Sequence, residues 1–165
     1  MGRDIADVVL GFFPLWALLL ALAIAAIRSA GGARPRAAVF ADELLFWAIG
    51  VAGIWGAVFH LFFADTAARA IGWAPGGFET EVGFADLALG VLGMSARFAS
   101  RPYRQATVVA AACFLWGAAA NHIAGIVRAG NVNPGNAGPV LWADVVIPAA
   151  ALWAVLASPR PRILD

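Results

Sequence analysis

The sequence has no lysine, a single cysteine and few charged residues, and each shortage excludes a class of protein. No basic run is interleaved with aromatic residues, so no surface for nucleic acid is predicted. With Cys113 as the only thiol, an internal disulfide is excluded. Charged residues make up 13% of the chain, whereas they make up about a quarter of a soluble domain, so a soluble fold is not predicted.

Hydrophobic residues make up 62% of the sequence and are concentrated in long blocks. A helix needs roughly 20 apolar residues to cross the hydrocarbon core of a bilayer. The blocks therefore predict an all-α membrane protein, a polytopic helical bundle of about five transmembrane helices that forms one domain over residues 1–165. The predicted spans cover residues 7–27, 40–63, 79–99, 105–127 and 140–157.

The arginines predict how these spans are oriented. Short cytoplasmic loops hold an excess of positive charge. Most arginines fall in the loops after the first and third spans and in the C-terminal tail, namely Arg28, Arg34, Arg36, Arg97, Arg101, Arg104, Arg160 and Arg162. The opposite side has only Arg3, Arg69 and Arg128. This alternation predicts that the N-terminus lies outside and the C-terminus lies in the cytoplasm.

Four ionisable residues from four different spans lie near the predicted outer surface: His60, Asp86, His122 and Asp144. At a rise of about 1.5 Å per residue, each lies roughly 7 to 9 Å below that surface. Asn121 shares this level, and Glu79 and Glu81 lie just above it. Ionisable groups inside a membrane are costly and normally face one another or a wet cavity. We therefore expect one polar pocket that opens outward.

The residue types in this pocket are typical of a metal site. Imidazole and carboxylate groups together suit Zn, Fe, Mn or Cu. The expected ligands are His60, Glu81, His122 and Asp144, and the side chains expected to orient them are Glu79, Asp86 and Asn121. The loop that contains Asn133 and Asn136 is expected to form a lid. An open coordination position would allow catalysis on a lipid-like or small substrate.

Three other functions fit the same residues. His60 and His122 lie at equal depth on different helices and are flanked by small residues, which fits the axial ligands of haem b. The polar residues also fit a proton or ion path through the membrane. Finally, the small chain fits an accessory subunit, in a larger membrane complex or a homo-oligomer, whose polar residues hold helices together. No His-Glu-x-x-His, phosphate-loop or Cys-x-x-Cys motif decides between these functions.

Several short segments carry a resemblance to a known family. They are His60-Leu61-Phe62-Phe63, Ile71-Gly72-Trp73, Phe78-Glu79-Thr80-Glu81-Val82-Gly83-Phe84-Ala85-Asp86, Asn121-His122, Asn133-Pro134-Gly135-Asn136-Ala137-Gly138 and Asp144. In these segments the chain resembles a family of small prokaryotic multi-pass membrane proteins classed as a domain of unknown function. The resemblance, over about residues 40–144, implies a bacterial or archaeal inner-membrane protein and no particular activity. Glu79 stands where the family pattern has Gln, which argues against a required charge at that position.

Overall fold

The computed structural model describes residues 11–74 and 76–159, and in this part of the chain it contains helices and no strand. The helices are α1 (Phe13–Ala30), α2 (Arg36–Phe62), α3 (Ala64–Ile71), α4 (Phe78–Ala96), α5 (Arg101–Ala129), α6 (Pro134–Ala137) and α7 (Pro139–Ala157). The predicted all-α bundle of about five long helices is therefore confirmed. Residues 7–10 of the first predicted span, and Arg3, Arg160 and Arg162, lie outside the described residues.

Four stretches are long and apolar enough to cross a membrane, which identifies a multi-pass membrane protein. They are α1, α2, α5 and the stretch Pro134–Ala157 that combines α6 with α7. The third predicted span corresponds to α4, which has 19 residues but is not among the four. It carries three acidic residues, Glu79, Glu81 and Asp86, which lower its apolar character. It still packs along α2 over most of its length.

Prolines and glycines set the ends of the helices. Each of α1, α5 and α7 has a proline in its first turn, where the missing N–H has no helical partner to lose. Gly72 ends α3 and Gly130 ends α5, both in the left-handed conformation that glycine adopts without steric cost. These sharp ends place α3 and α6 as short segments between long helices.

Close contact between glycines holds α4 antiparallel against α2. A Cβ atom at Gly53 would lie 2.8 Å from the backbone nitrogen of Gly90, and one at Gly93 would lie 2.6 Å from the backbone nitrogen of Gly50. Small residues at such a contact let helix backbones approach in a membrane. The stretch Leu44–Val51 of α2 is a π-helix, a wider turn that is frequent at functional sites. This contact keeps the least apolar long helix inside the bundle.

Two buried carboxylates at the start of α2 pair with arginines from the neighbouring segments. Glu43 is fully buried; it pairs with Arg28 of α1 and, at 3.3 Å, with Arg97 just after α4. Asp42 makes the equivalent pairs with Arg34, at 2.6 Å, and with an arginine of α5. We call this set the arginine network; its members are Arg28, Arg34, Asp42, Glu43, Arg97 and Arg104.

The arginine network marks one end of the bundle, which we call the arginine end. The end of α1, the start of α2, the end of α4 and the start of α5 all meet there. Arg101 adds the end of α7, because its guanidinium donates hydrogen bonds to the carbonyl oxygens of Leu156, at 3.2 Å, and of Ser158. The five long helices therefore alternate in direction.

Candidate functional site

A cavity of about 620 Å³ lies between the five long helices. It reaches the end of the bundle opposite the arginine end, and we call this opposite end the cavity end. At that end α3 and α6 cover it, through residues that include Ala70, Ile71 and Gly135. Gly135 lies against the backbone of α3, since a Cβ there would be 2.6 Å from the carbonyl oxygen of Ala70. The two short helices thus form a roof over the cavity.

Polar residues line only the part of the cavity next to this roof. We call them the polar cluster; they are His60, Asp86, Asn121, His122 and Asp144. The opposite part is apolar and is lined by Ala48, Ile49, Leu89, Ala111 and Ile147. His60 lies roughly 18 Å along α2 from Ala48 at a rise of about 1.5 Å per residue. The cavity is therefore elongated, with a polar end and an apolar end.

His122 is fixed in place by the loop that follows its own helix. Asn136 is fully buried, and its Nδ2 donates to the carbonyl oxygens of His122, at 3.1 Å, and of Asn131, at 2.8 Å. Oδ1 of Asn136 lies 2.8 Å from Nδ1 of His122. The ring of Trp73 stacks on the imidazole with 6.1 Å between centroids. The imidazole is held at its edge and on one face.

Asp144 faces the free edge of this imidazole. Its Oδ2 lies 3.7 Å from Nε2 of His122, and both side chains are buried. Asp86 lines the same cavity as Asp144, and its carboxylate packs against Gly56. Pro148 has no backbone N–H, so the carbonyl oxygen of Asp144 lacks its usual helical donor. This wall of the cavity is rich in hydrogen-bond acceptors.

His60 contributes a polar atom that is not yet paired. Its Nδ1 is buried and has no hydrogen-bond partner among the described residues. Glu79 of α4 is buried, and its carboxylate accepts a hydrogen bond of 3.3 Å from the backbone N–H of Gly76. A buried polar atom without a partner is costly in a folded protein. His60 lines the cavity, but its unpaired Nδ1 is buried beneath the cavity surface.

The sequence-predicted site residues fall into two groups. His60, Asp86, Asn121, His122 and Asp144 line one cavity, whereas Glu81 is exposed and lies outside its lining. Asp86 follows Glu81 by five positions in α4, which places the two side chains about 140° apart around the helix axis. The four expected metal ligands are thus not brought together. Among the described residues, no three His, Cys, Asp or Glu side chains are placed to hold a metal ion.

The two asparagines of the predicted lid have different surroundings. Asn136 is buried against His122, so the loop is fastened to the polar cluster. Asn133 is exposed, and its Nδ2 donates to Oδ1 of Asn131 at 2.8 Å. Asn131 in turn donates to the carbonyl oxygen of Ile71 at 2.9 Å, which ties the loop to α3. The loop is therefore part of the roof.

Three residues that line the cavity were not among the predicted site residues, namely Trp73, Cys113 and Gly117. Trp73 acts through a contact between a loop and α5, which leaves no periodic signal in the sequence. Cys113 and Gly117 do have such a signal, because they precede Asn121 at intervals of four residues and so share its helix face. All three residues of this stripe are exposed and line the cavity. The cavity is therefore accessible along this face of α5.

The comparisons with known proteins identify a family but no activity. A family model matches residues 11–162, and its description is a family of unknown function (DUF6790). No curated protein and no solved structure matches the chain. The expected resemblance to an uncharacterised family is therefore confirmed.

Proposed function

Because this chain belongs to the DUF6790 family, whose function is unknown, we propose its function from the cavity: it binds an amphipathic small molecule inside the membrane. The head group of that molecule lies against the polar cluster, and its apolar chain extends toward Ala48 and Ala111. Binding pockets for small molecules are mostly apolar and carry a few convergent polar groups. The observation that carries the proposal is the confinement of the polar groups to one end of an elongated cavity.

The route into the cavity follows from the exposed stripe on α5. Cys113, Gly117 and Asn121 are exposed although they line the cavity. In a bilayer, an exposed face of a membrane-crossing helix adjoins lipid. We propose that the ligand enters sideways from the lipid along this stripe, with its head group level with Asn121.

The orientation in the membrane is part of the same proposal. Five long helices that alternate in direction support five crossings, with α4 shielded by its contact with α2. The arginine end collects positive charge from two loops, which supports a cytoplasmic position for it. The cavity then opens in the outer half of a prokaryotic inner membrane.

A cavity-filling variant tests this function. A Cβ at Gly117 would meet no atom within 4 Å, so Gly117→Leu places a side chain in the cavity without a backbone clash. Ala120→Leu is the control, since Ala120 is exposed on α5 but is not part of the cavity lining. We expect native mass spectrometry of the purified protein to detect a single-chain amphiphile on wild type and on Ala120→Leu, and much less on Gly117→Leu.

Two results would contradict binding of an amphiphile in the cavity. An equal amount of amphiphile on Gly117→Leu and on wild type would place the molecule outside the cavity. Absence of an adduct on wild type, combined with no thermal stabilisation by any added dodecyl compound, would end the proposal.

A metal ion is the second candidate occupant. His60, His122 and Asp144 line one cavity, with Nε2 of His122 and Oδ2 of Asp144 3.7 Å apart, so a side-chain movement that brought His60 to this pair would give a cation imidazole and carboxylate ligands. Elemental analysis and a visible spectrum of the protein in detergent test this candidate. Stoichiometric Zn, Fe, Mn or Cu that is lost in Asp144→Asn supports it, and a Soret band indicates haem b instead. Wild-type protein free of all four metals excludes both.

A further inference from the structure

The orientation of the Asn136 amide determines which atoms the polar cluster offers to a ligand. Nδ2 of Asn136 lies 3.1 Å and 2.8 Å from two backbone carbonyl oxygens, which can only accept hydrogen bonds. Rotating the amide by 180° would place Oδ1 against both carbonyl oxygens and lose both bonds. The amide oxygen must therefore face Nδ1 of His122, as the 2.8 Å contact has it.

This orientation fixes the tautomer of His122. Oδ1 of Asn136 has only lone pairs, so Nδ1 of His122 must carry the hydrogen of their bond. A neutral imidazole with hydrogen on Nδ1 has a lone pair on Nε2. Nε2 is the atom that faces Asp144 and the cavity. The neutral ring therefore presents an acceptor to the ligand.

The carboxylates that line the cavity are hydrogen-bond acceptors as well. Asp86 and Asp144 supply two carboxylates from different helices that line the same cavity. No arginine lines the cavity among the described residues, and the sequence has no lysine. Arg28, Arg34, Arg97 and Arg104 are engaged at the arginine end. Two carboxylates in a membrane interior, with no arginine or lysine beside them, are costly unless a cation or a proton neutralises them.

We propose that the head group bound at Asp86, His122 and Asp144 is a protonated amine, so that the ligand is a single-chain cationic amphiphile. The inference rests on the proposed function and names its ligand class. An ammonium group carries three hydrogen-bond donors and no acceptor, which matches two carboxylates and a lone pair. An anionic head group would instead face two carboxylates with no arginine or lysine to offset the repulsion. Asn136 is a positioning residue, because it keeps Nε2 an acceptor without lining the cavity.

Three compounds with the same chain test the head group. Dodecylamine, dodecanol and dodecanoate differ in charge and donor count but not in their dodecyl chain. Protection of Cys113 from N-ethylmaleimide reports occupancy, because Cys113 is the only cysteine and lines the cavity. A chelator is kept in all samples, so that no divalent or transition-metal ion competes with the amine. Because hydrogen bonds to charged groups are the stronger class, we expect half-protection by dodecylamine at a concentration about tenfold lower than by dodecanol. Dodecanoate is expected to protect least.

Variants then assign the preference to the polar cluster. Asp144→Asn and, independently, Asp86→Asn should bring dodecylamine and dodecanol to similar half-protection concentrations, since each keeps the side-chain shape and removes one negative charge. Asp65→Asn is the matched control, because it removes the same charge from a carboxylate that is exposed on α3. It should keep the preference for the amine.

Each outcome decides one of the two proposals. Equal protection by amine and alcohol on wild type, or better protection by dodecanoate, overturns the cationic head group and leaves cavity binding intact. A preference for the amine that survives in both Asp144→Asn and Asp86→Asn also overturns it. If no dodecyl compound protects Cys113, the proposed function fails together with this inference.

Discussion

Oδ1 of Asn136 lies 2.8 Å from Nδ1 of His122, and this contact joins the roof of the cavity to its polar wall. The same side chain holds the carbonyl oxygens of His122 and Asn131 through its amide hydrogens. One fully buried asparagine thus uses all of its hydrogen-bonding groups on two segments of the chain. The end of α5 and the loop after it are locked together, and the ring of His122 has one defined orientation.

The first prediction is the tautomer of His122. In protein labelled with ¹⁵N at histidine, we expect the signal of His122 to report hydrogen on Nδ1 under conditions where the ring is neutral. Only His60 and His122 contribute signals, so His60→Gln assigns them. Asn136→Leu removes the acceptor and should shift the population toward hydrogen on Nε2. A wild-type ring with hydrogen mainly on Nε2 would contradict the geometry, because two lone pairs would then face each other.

The second prediction concerns the stability that Asn136 supplies. Asn136→Leu leaves Nδ1 of His122 buried without its partner and removes the side-chain donor to the carbonyl oxygens of His122 and Asn131. A buried polar group without a partner costs about 1–3 kcal/mol. We expect a clear loss of melting temperature in detergent. Asn133→Leu is the matched control, because Asn133 is exposed and bonds to Asn131 at the surface of the loop. Equal losses in the two variants would show that Asn136 has no special role in the roof.

The third prediction concerns the arginine network. Glu43→Gln removes the negative charge that faces Arg28 and Arg97. Glu43 is fully buried, but Arg28 is 40% exposed and Arg97 is 23% exposed, so both arginines keep part of their hydration. We therefore expect a loss of about 1–3 kcal/mol, the range for hydrogen bonds to charged groups, and not the larger cost of breaking a fully buried pair. The exposed pair of Asp65 and Arg69, 4.0 Å apart, offers a control in Asp65→Asn, which should cost about 0–1 kcal/mol. A stable Glu43→Gln protein would mean that solvent or lipid head groups already neutralise these arginines.

The fourth prediction contrasts two helical glycines. Gly53→Ala should destabilise by about 1–3 kcal/mol, because its Cβ would lie 2.8 Å from the backbone of Gly90 and α2 and α4 must separate. Gly117→Ala should stabilise by about 0.5–1 kcal/mol, since a Cβ there meets open space and alanine is the better helix former. Melting temperatures in detergent give the signs. The same sign in both variants would indicate that helix propensity, rather than the contact between α2 and α4, controls stability.

The sequence predicted which residues lie at one depth better than which of them face inward. His60, Asp86, His122 and Asp144 line one cavity, because spans of similar length that alternate in direction place equal offsets at equal heights. Glu81 was predicted as a metal ligand and Glu79 as a side chain that orients the ligands, and the structure buries Glu79 and leaves Glu81 exposed. The two lie on opposite faces of α4, and the helix phase that buries Glu79 is set by its packing against α2.

Contacts made by loops were beyond the reach of periodicity. The bond between Asn136 and His122 depends on the path of residues 130–136 after α5 ends, which starts at the left-handed conformation of Gly130. The stacking of Trp73 on His122 depends similarly on the turn at Gly72. Helical phase and depth are regular along a span, but side-chain contacts across loops depend on backbone angles that the hydrophobic pattern does not encode.

The last prediction is the topology, and the structure selects the positions that test it. In a Cys113→Ala background, Asn133→Cys places a thiol in the exposed loop at the cavity end, and Ala33→Cys places one in the exposed loop at the arginine end. Asn136 is unsuitable because it is buried, and Gly32 is unsuitable because its φ of +67° would strain a cysteine. Since short arginine-rich loops remain in the cytoplasm, a membrane-impermeant maleimide added to intact cells should label position 133 and not position 33. Permeabilised cells should show labelling at both positions, and Cys113→Ala alone gives the background.

Labelling of both positions from outside would contradict a bundle whose two ends lie on opposite sides of the membrane. Labelling of position 33 alone would keep the bundle but reverse it, and the cavity would then open in the inner half of the bilayer.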